Sequence, residues 1–165
     1  MRNRKIGYIT RGALVSALYV GLTFLCNAIG LANGPIQLRL SEALCILPFF
    51  MPSAVPGLFI GCLIANLVTS AAVWDVIFGS LATLVGAFVA SKIKNKWLVP
   101  IPTVIANTVV VPVVILFCYT AKESWSLQTY FITALGVFTG EVLSAYVLGM
   151  ILFFALDRHK NSLFK

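Results

Sequence analysis

The sequence predicts an all-α, polytopic membrane protein in which six transmembrane helices form one bundle with both termini in the cytoplasm. Its 165 residues are 60% hydrophobic and 10% charged, and the mean hydropathy is +0.99. Soluble domains are nearer half apolar and about a quarter charged. The apolar residues fall into long runs, and most basic residues lie between those runs. We therefore expect residues 1–165 to form a single integral-membrane domain.

Six apolar runs are candidate membrane spans, because a helix needs about 20 apolar residues to cross the bilayer. They cover residues 8–30, 40–54, 56–73, 76–92, 98–120 and 128–156. The second run is the weakest candidate, since Pro48 and Pro52 lie within it and Pro56 follows. Proline removes a backbone donor and ends or bends a helix. The alternative is a protein with five spans, in which this run only dips into the membrane. The last run is long enough to require a tilt or a projecting end.

The distribution of positive charge favours six spans. Basic residues cluster within residues 2–11, 92–96 and 158–165. The positive-inside rule assigns such clusters to the cytoplasmic side, and six spans bring all three clusters there. Only Arg39 and Lys122 then lie towards the outside. The net charge of +7 does not indicate nucleic-acid binding, because the basic residues are not gathered on one amphipathic face.

The sequence lacks the motifs of common enzymes and pumps. It contains no GxxxxGK[ST], HExxH or GxSxG pattern, and its single histidine, His159, lies in the basic tail. The four cysteines have no metal-ligand spacing, and we interpret them as small buried apolar residues. We therefore expect no enzymatic activity, no metal and no cofactor. If the protein transports actively, another polypeptide or an ion gradient supplies the energy.

Polar side chains within or beside the apolar runs are the candidate site residues. With six spans they converge on the outer half of the bundle. They are Gln37, Arg39, Glu42, Asn66, Trp74, Asp75, Asn107 and Glu141. Charged groups in hydrocarbon are costly, and they usually pair with one another or line a polar cavity. This set predicts the wall of a binding site.

Most of these residues also have a structural interpretation. Arg39 and Glu42 are three residues apart and could neutralise each other. Asp75 could cap the N-terminus of the fourth helix, and Trp74 could anchor the protein at the membrane interface. The two asparagines could link helices through hydrogen bonds.

Glu141 is the hardest of the set to explain structurally. No basic residue lies within two turns of it in its own span. It therefore needs a partner from another helix, a bound proton or a ligand. Because ionisable groups inside membrane spans are functional by default, we expect Glu141 to contact a ligand.

Small residues at intervals of four follow the first span as Ala13, Ala17 and Gly21. Such spacing lets helix backbones approach closely in a membrane. The usual role is packing within the bundle. This stripe lies beside Arg11, in the cytoplasmic half of its span, where it could equally receive a partner subunit.

The central block QLRLSEAL…LPFFMPSAVPGLFIGCLIANL, followed by WDVIFGSLATLVGA, resembles the QueT family of queuosine-precursor transporters. The resemblance extends over about residues 13–156. It implies the substrate-binding (S) component of an energy-coupling factor (ECF) transporter in a bacterial cell membrane, with six helices and cytoplasmic termini. By the same resemblance, Ala13 and Ala17, with Gly21, would contact a transmembrane coupling subunit that is joined to two ABC-type ATPase subunits.

The substrate that the resemblance implies is a 7-deazaguanine, such as preQ1 or queuine. One carboxylate can accept hydrogen bonds from the ring N–H and the exocyclic amine of a guanine-like edge. We assign that role to Glu141 and expect Asp75 or Glu42 to meet the cationic amine. The asparagines suit the carbonyl and ring nitrogens, and Trp74 or Phe78 could stack on the ring.

Three alternatives remain open at this point. The chain could be an S component for another vitamin. It could be a stand-alone secondary transporter, for which Glu141 and Asn107 are the plausible coupling-ion groups. It could also be a purely structural membrane subunit, although the clustered outer polar residues argue against that.

Overall fold

The computed structural model describes residues 2–31, 38–69 and 72–163, and every regular element within them is helical. Six α-helices follow one another: α1 Arg2–Ala28, α2 Ala54–Val68, α3 Val73–Ala90, α4 Ile101–Tyr119, α5 Leu127–Glu141 and α6 Gly149–Leu163. A 3₁₀ helix, Leu40–Phe49, lies between α1 and α2, and a π-helix, Val142–Leu148, joins α5 to α6. Short 3₁₀ turns at Lys96–Leu98 and Lys122–Ser124 precede α4 and α5.

Four helical stretches of the described chain are long and apolar enough to cross a membrane. They are Arg4–Ala28, Val73–Ala90, Lys96–Tyr119 and Leu127–His159. These stretches confirm the predicted multi-pass membrane bundle. Leu40–Phe49 and Ala54–Val68 are apolar but shorter. They coincide with the second and third predicted spans, so the count of six crossings and the side on which the termini lie stay predictions.

The 3₁₀ helix lies at the centre of the bundle. Residues 41–48 are all buried, and the segment contacts α1, α2, α3, α6 and the π-helix. Runs of 3₁₀ helix longer than three or four residues are uncommon, and this one contains Pro48. At about 2.0 Å per residue it reaches about 20 Å, short of the roughly 30 Å hydrocarbon core. The second predicted span is therefore helical but not the α-helix that the apolar run suggested.

Glycines bring the helix backbones together. A Cβ on Gly61 of α2 would lie 2.8 Å from the Cβ of Tyr19 on α1, and one on Gly57 would lie 3.1 Å from that of Val15. A Cβ on Gly86 of α3 would lie 2.8 Å from the Cα of Thr103 on α4. These contacts fix the helix pairs that carry the candidate site residues.

Candidate functional site

Glu141 lies at the last residue of α5, where the π-helix begins. Its Oε1 accepts a hydrogen bond of 2.9 Å from Nδ2 of Asn107 on α4, and both side chains are buried. The second oxygen, Oε2, is also buried but has no hydrogen-bond partner in the described chain. Leaving a buried acceptor unpaired costs free energy, and more so for a charged group. The geometry therefore leaves one carboxylate oxygen of Glu141 available to a ligand.

Asp75 is a second acid with a buried carboxylate oxygen that has no partner in the described chain. It lies in the first turn of α3 and is 8% exposed, and its Oδ1 is buried without a partner among the described residues. Asn66 of α2 donates to its backbone carbonyl at 3.4 Å. A Cβ on Gly79 would lie 3.1 Å from Asp75 Oδ1, so only the missing side chain leaves room there. The N-cap interpretation of Asp75 is wrong, because α3 begins at Val73 with Ala72 as its N-cap.

Glu42 is buried in the 3₁₀ helix, and both of its oxygens have partners. The hydroxyl of Tyr19 on α1 donates to Oε1, and the thiol of Cys45 donates to Oε2 at 3.2 Å. Tyr19 and Glu42 are each 1% exposed. Hydrogen bonds from α1 and from its own helix therefore hold Glu42.

Arg39 links the acids electrostatically. Its guanidinium is within electrostatic reach of Asp75 and, more weakly, of Glu42. The charges of Glu42 and Arg39 act in turn on Glu141. The backbone N–H of Arg39 donates to Oγ of Ser144 in the π-helix at 3.1 Å, one turn from Glu141. Arg39, the N-cap of the 3₁₀ helix, therefore connects acids from three elements: the 3₁₀ helix, α3 and α5.

The predicted aromatic residues lie at the edge of this neighbourhood. Trp74 and Phe78 stack at a ring-centroid distance of 5.9 Å and are 58% and 44% exposed. Together with Val113, Val114 and Phe117 they line a cavity of about 310 Å³. The positions suit both an interfacial anchor and a stacking platform. Gln37, which the sequence also predicts for the site, lies outside the described residues.

Several residues of the polar interior were missed by the sequence analysis. Tyr19 is the donor that holds Glu42, and its signal was available, because a buried tyrosine hydroxyl in an apolar span needs a partner. The cysteines are free, as expected, but some of the thiols also make polar contacts. Cys62 Sγ receives contacts from Asn66 Nδ2 at 3.7 Å and Thr83 Oγ1 at 3.5 Å.

The small-residue stripe of α1 faces outwards rather than into the bundle. Ala13, Ala17 and Gly21 are exposed and line a groove of about 710 Å³. The opposite wall belongs to α2 and includes Gly57 and Ile60. The stripe is therefore accessible to another protein from within the membrane.

The fold and the site define a class of protein: a multi-pass helical membrane protein whose buried carboxylates and amides keep hydrogen-bonding capacity for a small polar solute. Such an interior is typical of membrane transport proteins. The sequence matches the family profile described as QueT transporter over residues 9–158. The chain therefore belongs to the QueT transporter family, which is a family of transporters and not of enzymes.

The chain also matches a relative whose name gives a substrate. The chain is 41% identical over 85 residues to the protein named queuosine precursor transporter QueT of Lactococcus lactis subsp. cremoris, strain MG1363. The aligned region covers 52% of this chain and 50% of that relative, so the chain spans about half the length of the relative it matches. No solved structure matches the chain significantly.

Proposed function

We propose that this chain is the substrate-binding component of an ECF transporter and captures a queuosine precursor at the outer face of a bacterial cell membrane. Membership of the QueT transporter family supports a role in transport. The name of the Lactococcus lactis relative supports the substrate, a 7-deazaguanine such as preQ1 or queuine. The observation that carries the proposal is the pair of buried, unpartnered oxygens on Asp75 and Glu141.

Glu141 is the acid that accepts the guanine-like edge of the ligand. Each carboxylate oxygen can accept more than one hydrogen bond. Oε2 is free among the described residues, and Oε1 keeps capacity beside Asn107. The ring N–H and the exocyclic amine of a 7-deazaguanine are adjacent donors that match this carboxylate. Asn107 fixes the orientation of the carboxylate and can turn its remaining polar atoms towards the ligand.

Asp75 is the acid that meets the cationic amine of the ligand. The alternative acid, Glu42, already accepts from Tyr19 and Cys45. Asp75 has an unpartnered oxygen and lies beside Asn66, whose amide can serve the polar edge of the ring. Arg39 completes the polar wall, Gln37 is a further proposed ligand contact, and Trp74 or Phe78 covers the ring by stacking.

The energy for uptake comes from other subunits. The sequence has no phosphate-binding GxxxxGK[ST] motif, so we assign ATP hydrolysis to two ABC-type ATPase subunits that act through a transmembrane coupling subunit. The outward-facing stripe Ala13, Ala17 and Gly21 is the surface on which that coupling subunit docks. In this arrangement six spans cross the membrane and both termini are cytoplasmic.

A ligand screen of the purified protein tests the proposal. A tight ligand raises the apparent melting temperature by mass action. We expect preQ1 or queuine to do so in the absence of ATP, and riboflavin, thiamine and biotin to leave the melting temperature unchanged. A response to one of those vitamins instead would identify an S component for a different substrate.

The variant Glu141→Gln should abolish the response to preQ1, because one of the two acceptor oxygens becomes an NH2 group and meets a donor of the ligand with another donor. Glu123→Gln is the matched control, since it makes the same change in the connection between α4 and α5 and should bind like the wild type. Wild-type affinity in Glu141→Gln would remove Glu141 from the site.

A stand-alone secondary transporter is the second candidate function. The buried pair Asn107 and Glu141 is the feature that favours it, because such a pair inside a membrane could bind a coupling ion. Reconstitution of the chain alone into liposomes distinguishes the two candidates. Gradient-driven uptake of preQ1 would favour the secondary transporter, whereas binding without uptake is expected for an S component.

A further inference from the structure

A long apolar groove lies between α3 and α4, on the side of the bundle away from the small-residue stripe of α1. Its volume is about 700 Å³, and its walls include Val85, Ile105 and Val109. These three side chains are 55%, 58% and 56% exposed, so the groove is open to the lipid phase. The floor is formed where Gly86 brings α3 against α4, as described above. Apart from Phe78 at one end, the proposed transport function uses no residue of this groove.

The groove has the length of a lipid chain. Along α3 it extends from Phe78 to Val89, which is about 17 Å at a rise of 1.5 Å per residue, and it continues to Ile93 in the connection. One leaflet of the hydrocarbon core is about 15 Å thick, half of the roughly 30 Å total. A single acyl chain can therefore lie along the groove over the whole depth of its leaflet.

At one end of the groove, the connection between α3 and α4 carries positive charge and no negative charge. The connection that closes the groove contains Lys92, Lys94 and Lys96, and all three are exposed. The sequence has no aspartate or glutamate between Asp75 and Glu123. The connection therefore has no acid of its own to balance the three ammonium groups, and Asp75, the acid on α3, lies in the first turn at the other end of that helix.

The side chains of the connection have the orientation expected at a membrane surface. Lys92 Nζ lies 5.4 Å from the ring centroid of Phe88 on α3, and Lys96 Nζ lies 5.2 Å from that of Phe154 on α6. Trp97, which is 50% exposed, packs against Phe154 at 5.4 Å. Tryptophan is enriched at the interface between hydrocarbon and headgroups. The lysines therefore lie at the depth of lipid phosphates.

We propose that the groove binds one anionic phospholipid, with an acyl chain between α3 and α4 and its phosphate beside Lys92, Lys94 and Lys96. Basic residues at the end of an apolar cleft between transmembrane helices are the features that select anionic headgroups. A second copy of the chain or a partner helix would account for the apolar walls. It would not account for three lysines in a connection that contains no acid.

Native mass spectrometry of delipidated protein tests the site. The protein in detergent is titrated with phosphatidylglycerol or phosphatidylcholine that carry the same acyl chains. We expect one bound phosphatidylglycerol with at least about tenfold preference over phosphatidylcholine, equivalent to about 1.4 kcal/mol. Since each basic residue near an anionic surface contributes about 1 kcal/mol, two of the three lysines suffice. Equal retention of both lipids would overturn the proposal.

Two variants separate the headgroup from the chain. Replacing the three lysines with glutamine should remove the preference for phosphatidylglycerol, and a preference that persists would refute their role. Ala106→Phe should reduce retention of either lipid, because Ala106 lines the groove. Ala134→Phe on α5 is the matched control, since Ala134 is equally half-buried but lies outside the groove. Dimers of lipid-free protein that Ala106→Phe dissociates would instead assign the groove to a second copy.

Discussion

Two parts of the polar interior differ in how completely their buried groups are paired. In the seam between α1 and the 3₁₀ helix, Glu42 accepts from Tyr19 and Cys45. Between α3 and α5, Asp75 and Glu141 each keep one buried oxygen without a partner among the described residues. A paired acid inside a membrane protein can hold helices together, whereas an unpaired one costs stability and is retained for another reason.

Other polar groups are also paired in the α1 seam and more often unpaired elsewhere. In the α1 seam, Thr23 Oγ1 donates to Ser41 Oγ at 3.0 Å, and the N–H of Leu40 donates to Cys26 Sγ at 3.2 Å. The other buried polar side-chain atoms without a partner in the described chain are Oγ of Ser80 and Oγ1 of Thr103 and Thr108, which all lie on α3 or α4. The pairing in the first part fixes the central helix, and the second part contains the oxygens of Asp75 and Glu141 that we propose for the ligand.

The largest effect that separates the two parts is expected from Asp75→Asn. A hydrogen bond to a charged group contributes about 1.5–3 kcal/mol, so the Kd for preQ1 should rise by about 10- to 100-fold. Stability without ligand should stay the same or fall, because Arg39, whose guanidinium is within electrostatic reach of Asp75, loses that acid. Titration calorimetry and thermal unfolding measure the two quantities.

Asp157→Asn on α6 makes the same change away from the proposed site and serves as the control. If Asp75→Asn bound preQ1 like the wild type but unfolded more easily, Asp75 would belong with Glu42 among the structural acids, and the distinction between the two parts would fail.

The second effect is expected from Tyr19→Phe, which removes one donor from Glu42. The free energy of unfolding should fall by about 1.5–3 kcal/mol, because a buried carboxylate oxygen loses its partner. The Kd for preQ1 should change by less than about threefold, since 1.4 kcal/mol corresponds to tenfold and no ligand contact is lost. Thermal unfolding in detergent, with calorimetry of the ligand, checks both values.

Tyr8→Phe is the matched control on the same helix. The hydroxyl of Tyr8 is exposed and makes one long contact of 3.4 Å with the carbonyl of Pro52, so its removal should have little effect on stability. A Tyr19→Phe variant that unfolded like the wild type but lost affinity for preQ1 would place Tyr19 and Glu42 in the binding site instead.

The sequence predicts the acid with an unpaired oxygen better than it predicts the paired seam, for a physical reason. Glu141 is identified from its own span, because an acid without a local base needs a partner wherever the fold places it. The bond between Tyr19 and Glu42 joins residues 23 apart, and the one between Asn107 and Glu141 joins residues 34 apart. Such pairs depend on which helix faces meet, which hydropathy does not specify.

The apolar pattern also did not predict the type of helix. Hydropathy identified the segments around Leu40–Phe49 and Val142–Leu148, but it does not distinguish α from 3₁₀ or π geometry. In the first segment, Pro48 removes a backbone donor and the whole run is packed among five other elements. In the second, the widened turn begins directly after Glu141, and such turns are frequent at functional sites.

The smallest effect, and the most local, is expected from Gly79→Ala. The new Cβ would lie 3.1 Å from Asp75 Oδ1 and 3.3 Å from Asn66 Nδ2, so the carboxylate must move by a few tenths of an ångström. We expect about a fivefold loss of affinity for preQ1, equivalent to about 1 kcal/mol.

Gly79→Ala should increase the free energy of unfolding, because alanine is favoured over glycine inside a helix by about 0.8–1 kcal/mol. Gly7→Ala on α1 is the control for this term, since a Cβ there would meet no atom within 4 Å and should leave affinity unchanged. Affinity that stays at the wild-type value in Gly79→Ala would mean that Oδ1 of Asp75 faces away from the ligand. Glu141 would then be the acid on which recognition depends, and the ligand-facing part of the interior would be confined to α4 and α5.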